Sequence, residues 1–331
     1  MNSIGDLFKI TLYGESHQEA IGIVVDGLIP GTKIDEALIA NDLKKRNPDA
    51  IGTTPRKEPD RFEITSGVYM GKATGSPVHI MIRNENIQSK DYDHLKTHPR
   101  PGHADYVASV KYHQHHDPRG GGRFSGRLTA PIVMAGSLAK MMLPYHFEHQ
   151  LIQVGSLKDM TKIDKYLSEI QAQGDSVGGI IEVKVSGLPV GLGEPMFGKM
   201  ESKIAQMLFS IPAVKGVQFG TGFDGIDMKG SQFNDVIIDE EGHTKTNHSG
   251  GLSGGISNGN PLVVKVFIKP TSSIQKPQES FETSTKTLKP LEVGGRHDVC
   301  IARRAGIVIE NAVAIVVADN FLLHQATLRR S

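Results

Sequence analysis

The chain has 331 residues, which is enough for one large α+β unit or for about two domains of ordinary size. Its 37 glycines follow no triplet repeat and apolar runs are frequent, so collagen-like and disordered chains are excluded. The 37 lysines and arginines nearly balance the 36 aspartates and glutamates, which gives no support for general binding to nucleic acid or to an anionic membrane. Any anion-binding site must therefore be local.

Apolar runs and helix signals follow one another without the regular spacing of βαβ units. In chain order they predict a strand at 21–27, helices at 34–46, 130–147 and 162–173, a strand at 179–187, a helix at 200–209, a strand at 261–269 and a helix at 304–323. No linker-like segment or repeat divides the sequence. We therefore expect one α+β domain over residues 1–331, with helices packed between or against mixed or antiparallel sheets.

Cysteine content and apolar segments indicate the compartment. Cys300 is the single cysteine, which excludes an intramolecular disulfide, and the segment after Met1 lacks the uninterrupted apolar stretch of a secretory signal. The longest apolar stretch, 305–318, is interrupted by Glu310 and Asn311 and is too short to cross a bilayer. We expect a cytoplasmic protein without a membrane partner, with this stretch in its core.

Several short patterns match known motifs incompletely. Residues 220–225 have the spacing of a dinucleotide-binding loop, but the residues after them do not predict the required helix, so a turn is favoured. His115 and His116 are neighbours and point in different directions on a helix or strand, which favours a polar loop over a metal site. Ser253 lacks the strand-to-helix elbow of a hydrolase nucleophile.

Two histidines stand in segments typical of acid–base sites. Residues 14–17 read Gly-Glu-Ser-His and precede the strand predicted at 21–27. Residues 100–106 read Arg-Pro-Gly-His-Ala-Asp-Tyr, in which a guanidinium and a permissive glycine stand beside His103. Histidine side chains titrate near neutral pH and can act as acids there. Taken singly, each segment is also compatible with a structural role.

Three further segments carry groups that suit small anions. Residues 119–127 read Arg-Gly-Gly-Gly-Arg-Phe-Ser-Gly-Arg and lead into the helix predicted at 130–147, so guanidinium groups and backbone amides are available together. An RNA-binding tail can look similar, but the alternation of aromatic residues and arginines is missing, which favours a small anion. Residues 269–274, Lys-Pro-Thr-Ser-Ser-Ile, could hold a phosphate or cap a turn, and Asp298 could act in a site or in an ion pair with Arg296.

In combination, these segments resemble the chorismate synthase family. The signature regions of that family correspond to 14–30, 122–138 and 296–312, and shorter matches follow in family order at 56–60, 100–106, 187–195, 213–216, 254–256 and 269–273. The resemblance runs nearly end to end. It implies a single-domain β-α-β sandwich, with a helical layer between sheets, and a homotetramer.

The resemblance also implies an activity. Members of the family are lyases of the shikimate pathway that convert 5-enolpyruvylshikimate 3-phosphate to chorismate and phosphate by a 1,4-anti elimination, using reduced FMN without net redox change. By analogy, His17 would protonate the reduced flavin, His103 would assist the departing phosphate and Asp298 would help proton removal. The implied substrate-binding residues are Arg46, Arg100, Ser125, Arg127 and Arg296. The implied flavin-binding residues are Arg123, Phe124, Ser125, Pro212, Ala213, Gly254, Lys269, Pro270, Thr271, Ser272, Ser273 and Arg296.

The source of reduced flavin is a separate expectation. NADPH would supply the reducing equivalents, and Arg46 is the candidate for a contact with it, without the second arginine of the family's pair near Ile51. No reductase-like segment is apparent in the chain, so we expect a separate flavin reductase as a partner. No metal is expected.

The sequence departs from the family pattern at several positions. Gln18 replaces the usual glycine after the first histidine, Phe124 and Gly126 interrupt the usual Ser-Ser-Ala-Arg, and Leu128 replaces an acidic residue. These departures leave an inactive flavin-binding relative as an alternative to an enzyme. An RNA-binding module built on residues 119–127 is the weaker alternative.

Overall fold

The computed structural model describes residues 2–46, 50–53, 60–85, 97–294 and 297–328. The helices are α1 (Glu36–Lys45), α2 (Asp105–Lys111), α3 (Thr129–Met142), α4 (Ile163–Ala172), α5 (Met200–Phe209), α6 (Gly230–Phe233) and α7 (Ala302–Leu328). The strands are β1 (Ser3–Ile4), β2 (Lys9–Gly14), β3 (Ala20–Asp26), β4 (Phe62–Ser66), β5 (Val68–Tyr69), β6 (Lys72–Ala73), β7 (Val78–Arg83), β8 (His146–Val154), β9 (Gly179–Ser186), β10 (Val214–Phe219), β11 (Leu252–Ser253), β12 (Ile256–Ser257), β13 (Leu262–Ile268), β14 (Gln278–Glu282) and β15 (Thr287–Leu291).

Two antiparallel sheets form the outer layers of the fold. The first has the strand order β1-β2-β3-β7-β4, and the second has the order β10-β13-β9-β8. The predicted strands at 21–27, 179–187 and 261–269 are confirmed as β3, β9 and β13, which are all interior strands of these sheets. Their flanking strands, such as β2 and β8, mix apolar with polar residues and were not predicted.

Helices α3 and α7 lie between the two sheets. α3 packs against β2, β3 and β7 of the first sheet, whereas α7 packs against β8 and β9 of the second. A Cβ atom at Gly136 of α3 would lie 2.3 Å from the Cβ of Asn311 in α7, so only glycine permits this helix contact. The hydrophobic core is continuous through the helical layer into both sheets. The expected α+β sandwich, with helices between antiparallel sheets, is confirmed.

The predicted helix at 130–147 extends too far at its C-terminal end. α3 ends at Met142, and Leu143 is extended, with φ −105° and ψ 133°. Pro144 causes this end, because a proline disfavours helical backbone at the preceding residue and has no N–H to donate. Phe147 lies in β8 instead. The predicted helices at 34–46, 162–173, 200–209 and 304–323 are confirmed as α1, α4, α5 and α7.

Helix α7 contains the longest apolar stretch of the sequence. By length and hydropathy, Ala302–Thr327 could cross a membrane, but 83% of its most apolar window is buried inside the protein. Most side chains of 305–318 belong to the hydrophobic core, and α7 packs against α3, α5, β8 and β9. The expected place of this stretch in the core is therefore confirmed.

A buried ion-pair network crosses the helical layer. Lys140 Nζ of α3 lies 2.6 Å from Asp42 Oδ2 of α1 and 2.8 Å from Glu310 Oε1 of α7. His149 Nδ1 of β8 lies 2.6 Å from Glu310 Oε2. Burial alone raises the pKa of Asp42, but Lys140 and Lys45 outweigh it and the pKa is lowered. Burial alone also raises the pKa of Glu310, but His149 and Lys140 outweigh it, so this pKa is lowered too.

This network predicts a stability loss in acid. Because both carboxyl pKa values are lower in the folded protein, their stabilisation is present above about pH 4 and is lost as the pH falls through the folded-state values. The free energy of unfolding, measured with urea, should therefore decrease as the pH is lowered from 7 to 3. Asp42→Asn should destabilise the protein by about 3 kcal/mol at pH 7 and flatten this dependence. Asp26→Asn removes an exposed carboxylate and is the control, and an equal flattening in both variants would contradict the assignment.

Candidate active site

A large cleft opens at one end of the helical layer. Its volume is about 1220 Å³, above the roughly 300–1,000 Å³ usual for a site that holds one small molecule. The first turns of α3 and α7 both line it, so the positive ends of two helix dipoles meet there. The cleft brings together the following residues that the sequence singled out: His17, Arg46, His103, Arg123, Phe124, Ser125, Arg127, Pro212, Ala213, Lys269, Pro270, Thr271, Ser272, Ser273 and Asp298.

Two of the predicted site residues that the structure describes do not line the cleft, and a third is not described. Arg100 is buried behind the wall, where its Nη1 donates to Ser273 Oγ at 2.9 Å. Gly254 lies in the turn between β11 and β12, with a φ of +64°, and is not among the lining residues. Arg296 falls outside the described residues.

The glycine run of the 119–127 segment packs against His17. Gly120, Gly121 and Gly122 have φ values of +59°, +80° and +50°, which residues with a Cβ rarely adopt. A Cβ at Gly120 would lie 2.3 Å from His17 Nε2, so the backbone touches the imidazole directly. The Ser16 backbone N–H donates to the Gly122 carbonyl at 3.3 Å. These contacts fix the imidazole of His17 at the cleft wall, where the residue keeps 5% of its surface exposed.

Two guanidinium groups share one carboxylate on the α1 side of the cleft. Arg46 Nη2 lies 3.2 Å from Asp60 Oδ2, and Arg127 Nη1 pairs with Asp60 Oδ1. Arg46 also donates from Nη1 to Thr129 Oγ1 at 3.1 Å. Burial lowers the pKa of Arg46, and Asp60 opposes that shift, whereas Arg127 adds to it. A guanidinium stays protonated in proteins, so this wall is cationic.

A second carboxylate–arginine pair stands where α7 begins. Arg304 Nη1 donates to Asp298 Oδ2 at 3.1 Å and to Asp298 Oδ1 at 3.3 Å. Arg304 Nε donates to the Arg46 carbonyl at 3.0 Å, which links this pair to the end of α1. Asp298 thus pairs with Arg304 and also lines the cleft, whereas the pair considered between Asp298 and Arg296 falls outside the described residues.

His103 lines the cleft and contacts residues of its own chain segment. Its Nδ1 is 2.5 Å from Asp105 Oδ1. Arg100 donates to the same carboxylate from Nε at 2.8 Å and from Nη2 at 2.9 Å. Burial alone would raise the pKa of Asp105, but the hydrogen bonds from Arg100 and His103 outweigh it and hold the pKa well below its usual range.

The 269–273 loop closes the cleft next to His103. Lys269 Nζ donates to the Gly102 carbonyl at 2.6 Å and to Ser272 Oγ at 2.7 Å. Burial and the nearby Lys215 lower the pKa of Lys269. The ammonium group is thus held by neutral oxygens, with no carboxylate among the partners that the structure gives it, and remains suited to an anion.

Arg123 is anchored to the first sheet. It donates from Nη1 to the Gly14 carbonyl at 3.1 Å, and from Nη2 to the Leu12 carbonyl at 3.0 Å and Asn2 Oδ1 at 2.8 Å. Burial lowers its pKa. Phe124 beside it keeps 36% of its surface exposed in the cleft, which offers an apolar face to a ring system.

Two polar atoms of the cleft are buried without a hydrogen-bond partner among the described residues. They are Arg46 Nε and Thr271 Oγ1. A buried polar group without a partner costs about 1–3 kcal/mol, so such atoms at a cleft wall indicate that a ligand or water completes their bonding. One is a cationic donor and the other a hydroxyl, and both suit a charged, oxygen-rich ligand.

Sequence reasoning assigned no role to three side chains that shape the cleft. Asp60 and Asp105 each pair with a predicted arginine, and Arg304 pairs with Asp298. Both aspartates stand within segments that carried the family resemblance, at 56–60 and 100–106. Asp105 lies five positions after Arg100, which was a usable local signal. Asp60 is 14 positions from Arg46 and 67 from Arg127, so its pairing depends on the fold.

Comparisons with known proteins identify one family. A family model described as chorismate synthase matches residues 8–322. Chorismate synthase of Chitinophaga pinensis is 47% identical over 331 residues, 99% of each chain, and that of Cupriavidus necator is 42% identical over 98% of this chain and 94% of its own. A solved crystal structure of a chorismate synthase superposes with a TM-score of 0.75 at 26% identity, covering 97% of this chain and 93% of that chain. The chain belongs to the chorismate synthase family.

Proposed function

We propose that this protein is a chorismate synthase, a carbon–oxygen lyase that converts 5-enolpyruvylshikimate 3-phosphate to chorismate and phosphate by a 1,4-anti elimination. The observation that carries the proposal is one cleft in which His17, His103 and Asp298 face a common space among fixed cations. Family membership over 8–322 supports the same reaction.

The charge of the cleft suits this substrate. The substrate has two carboxylates and a phosphate, and Arg46, Arg127 and Lys269 line the cleft together with the amino ends of α3 and α7. Guanidinium groups held by Asp60 are already oriented, so little conformational entropy remains to be lost on binding. We propose that Arg46, Arg127 and Ser125 bind the substrate, with Arg100 and Arg296 as further candidates.

The cleft also has room and partners for reduced FMN. Its volume exceeds the need of one small molecule, and Thr271 Oγ1 is a buried hydroxyl without a partner in the described part of the chain. We propose that the flavin is held by Arg123, Phe124, Ser125, Pro212, Ala213, Lys269, Pro270, Thr271, Ser272, Ser273 and Arg296, with Gly254 as the candidate from outside the cleft lining. When bound, the reduced flavin supplies electron density to the elimination with no net oxidation.

The chain's own groups handle the protons. His103 Nε2 is proposed to donate a proton to the phosphate oxygen as the carbon–oxygen bond breaks, because its Nδ1 is bound to Asp105. His17, fixed by the glycine run, is proposed as the donor on the cofactor side. Asp298, oriented by Arg304, is proposed to assist removal of the proton that the elimination releases.

We propose the following setting for this activity. The chain acts as one catalytic domain, since its core is continuous from one sheet to the other. A separate flavin reductase provides the reduced FMN from NADPH, with Arg46 as the candidate NADPH contact. We further propose a cytoplasmic homotetramer that does not bind nucleic acid or a membrane; the near-neutral net charge and the buried α7 support the last two points.

An anaerobic elimination assay tests the function. Purified protein with photoreduced FMN should convert 5-enolpyruvylshikimate 3-phosphate to chorismate and release one phosphate per chorismate. Oxidised FMN with NADPH and no reductase should give no sustained turnover. Folded protein that binds reduced FMN but forms no chorismate would establish the inactive relative instead. Binding of RNA that weakens steeply with salt and ignores the substrate would favour the RNA-binding alternative.

The packing of Gly120 on His17 gives a second prediction. His17→Ala should lower kcat by about a hundredfold or more, because it removes a proton donor. Gly120→Ala should lower kcat by about a hundredfold as well, since the added methyl group displaces the imidazole while leaving it in the chain. Stopped-flow formation of chorismate under anaerobic conditions measures both effects.

Gly230→Ala is the matched control for the glycine substitution. The added methyl group meets no atom within 4 Å in the described structure, and Gly230 does not line the cleft. Its kcat should remain within about threefold of the wild-type value. A Gly120→Ala enzyme as active as this control would show that the position of His17 is unimportant.

A further inference from the structure

The carboxylate of Asp105 is held by three groups at once. His103 Nδ1 lies 2.5 Å from Oδ1. Arg100 donates to Oδ2 from its backbone N–H at 3.1 Å and from Nε at 2.8 Å, and to Oδ1 from Nη2 at 2.9 Å. The roles proposed so far involve His103 and Arg100 and leave Asp105 unassigned.

The protonation of this carboxylate is fixed by its partners. Hydrogen bonds from Arg100 and His103 outweigh the effect of burial and keep the pKa of Asp105 well below its usual range. An ionised carboxylate can only accept hydrogen bonds. The hydrogen shared between His103 and Asp105 must therefore belong to Nδ1.

With Nδ1 bound to Asp105, Nε2 is the ring nitrogen left to exchange a proton, and its protein neighbour is Arg100 Nη2 at 3.2 Å. The Cβ position of Gly121 is 3.9 Å from both Cε1 and Nε2 of His103, so this edge of the ring faces the glycine run that lines the cleft. A histidine whose Nδ1–H is bound to a carboxylate keeps one tautomer and one ring orientation, as in the histidine–aspartate pairs of hydrolases and metal sites.

We propose that Asp105 is the positioning residue of His103, holding the ring hydrogen on Nδ1 so that Nε2 alone exchanges a proton with the substrate. This rests on the proposed function. As the carbon–oxygen bond breaks, its electron pair passes to the phosphate oxygen, and the Nε2 proton transfers to that oxygen. The imidazole is left neutral, with Nδ1–H still bound to Asp105.

The Asp105 carboxylate is needed because Arg100 lies so close to the His103 ring. Arg100 Nη2 lies 3.1 Å from Nδ1 and 3.2 Å from Nε2 of His103, so a protonated ring faces a guanidinium at close range. Asp105 contacts both groups, so its negative charge offsets the repulsion between them. The bond from Arg100 Nη1 to Ser273 Oγ ties this group to the 269–273 loop, which explains why Arg100 lies behind the cleft wall.

Asp105→Asn should impose the opposite tautomer. Arg100 offers donors only, so the amide oxygen of the asparagine is drawn to Arg100 and its NH₂ group faces Nδ1 of His103. Nδ1 must then accept, which places the hydrogen on Nε2 and disfavours the doubly protonated ring. We expect kcat to fall by about 10²–10⁴-fold, with KM for the substrate changed less than about threefold. Asp105→Glu should recover at least about a tenth of the wild-type kcat.

Asp117→Asn is the matched control for these variants. Asp117 also accepts from an arginine in two places, Arg119 Nε at 2.8 Å and Nη2 at 2.6 Å, and it contacts Gln18 rather than a proposed proton donor. Its kcat should stay within about threefold of wild type. Equal losses in the two asparagine variants, or a wild-type kcat in Asp105→Asn, would overturn the proposal.

Nitrogen-15 NMR of histidine-labelled protein without flavin reads the tautomer directly. The His103 signals are identified by their loss in His103→Gln. At a pH where the imidazole is neutral, the wild type should carry the hydrogen on Nδ1, Asp105→Asn on Nε2, and Asp105→Glu again on Nδ1. A wild-type His103 with its hydrogen on Nε2 overturns the proposal even if no variant folds. Wild-type protein that has the expected tautomer but makes no chorismate instead contradicts the proposed function.

Discussion

The contact between α3 and α7 at Gly136 brings the two helices close together. Because no side chain separates the helices there, α3 and α7 form one layer, and each sheet packs against one of them. The two amino ends consequently open onto the same cleft, and the residues before them, Arg127 and Asp298, face a shared space. The lysine and carboxylates that connect α1, α3, α7 and β8 lie in this layer and fix the position of α1, which carries Arg46 at its end.

The cleft concentrates cations, and carboxylates make that concentration possible. Asp60, Asp105 and Asp298 each bind an arginine in or behind the cleft wall, so the guanidinium groups are neutralised in part and oriented before any ligand binds. Unpaired arginines so close together would repel one another and lose side-chain order. This explains how a chain of net charge +1 presents a site for a substrate with three anionic groups.

Sequence patterns predicted the interior strands and the principal helices, because apolar runs and charge at helix ends are local signals. The end of the helix predicted at 130–147 is wrong for a local reason as well, since Pro144 stops α3 at Met142. The site was predicted through segments whose order resembles a family, whereas the roles of Asp60 and Asp105 depend on which atoms meet in three dimensions. Gly254 illustrates the same limit. The motif match assigned it to flavin binding, whereas the structure places it in a turn that does not line the cleft.

The departures from the family pattern leave the polar groups of the cleft in place. Gln18 is exposed and donates from Nε2 to Asp117 Oδ2 at 2.9 Å, so its side chain extends toward the Asp117–Arg119 pair and away from His17. Leu128 is buried in the hydrophobic core, where an acidic residue would require a partner. Phe124, Gly126 and Leu128 all line the cleft, and Phe124 brings the exposed aromatic ring, beside a guanidinium anchored to the first sheet. Its ring adds apolar surface without removing a proton donor, so we expect it to affect how firmly a cofactor ring is held more than the chemistry of His17 and His103.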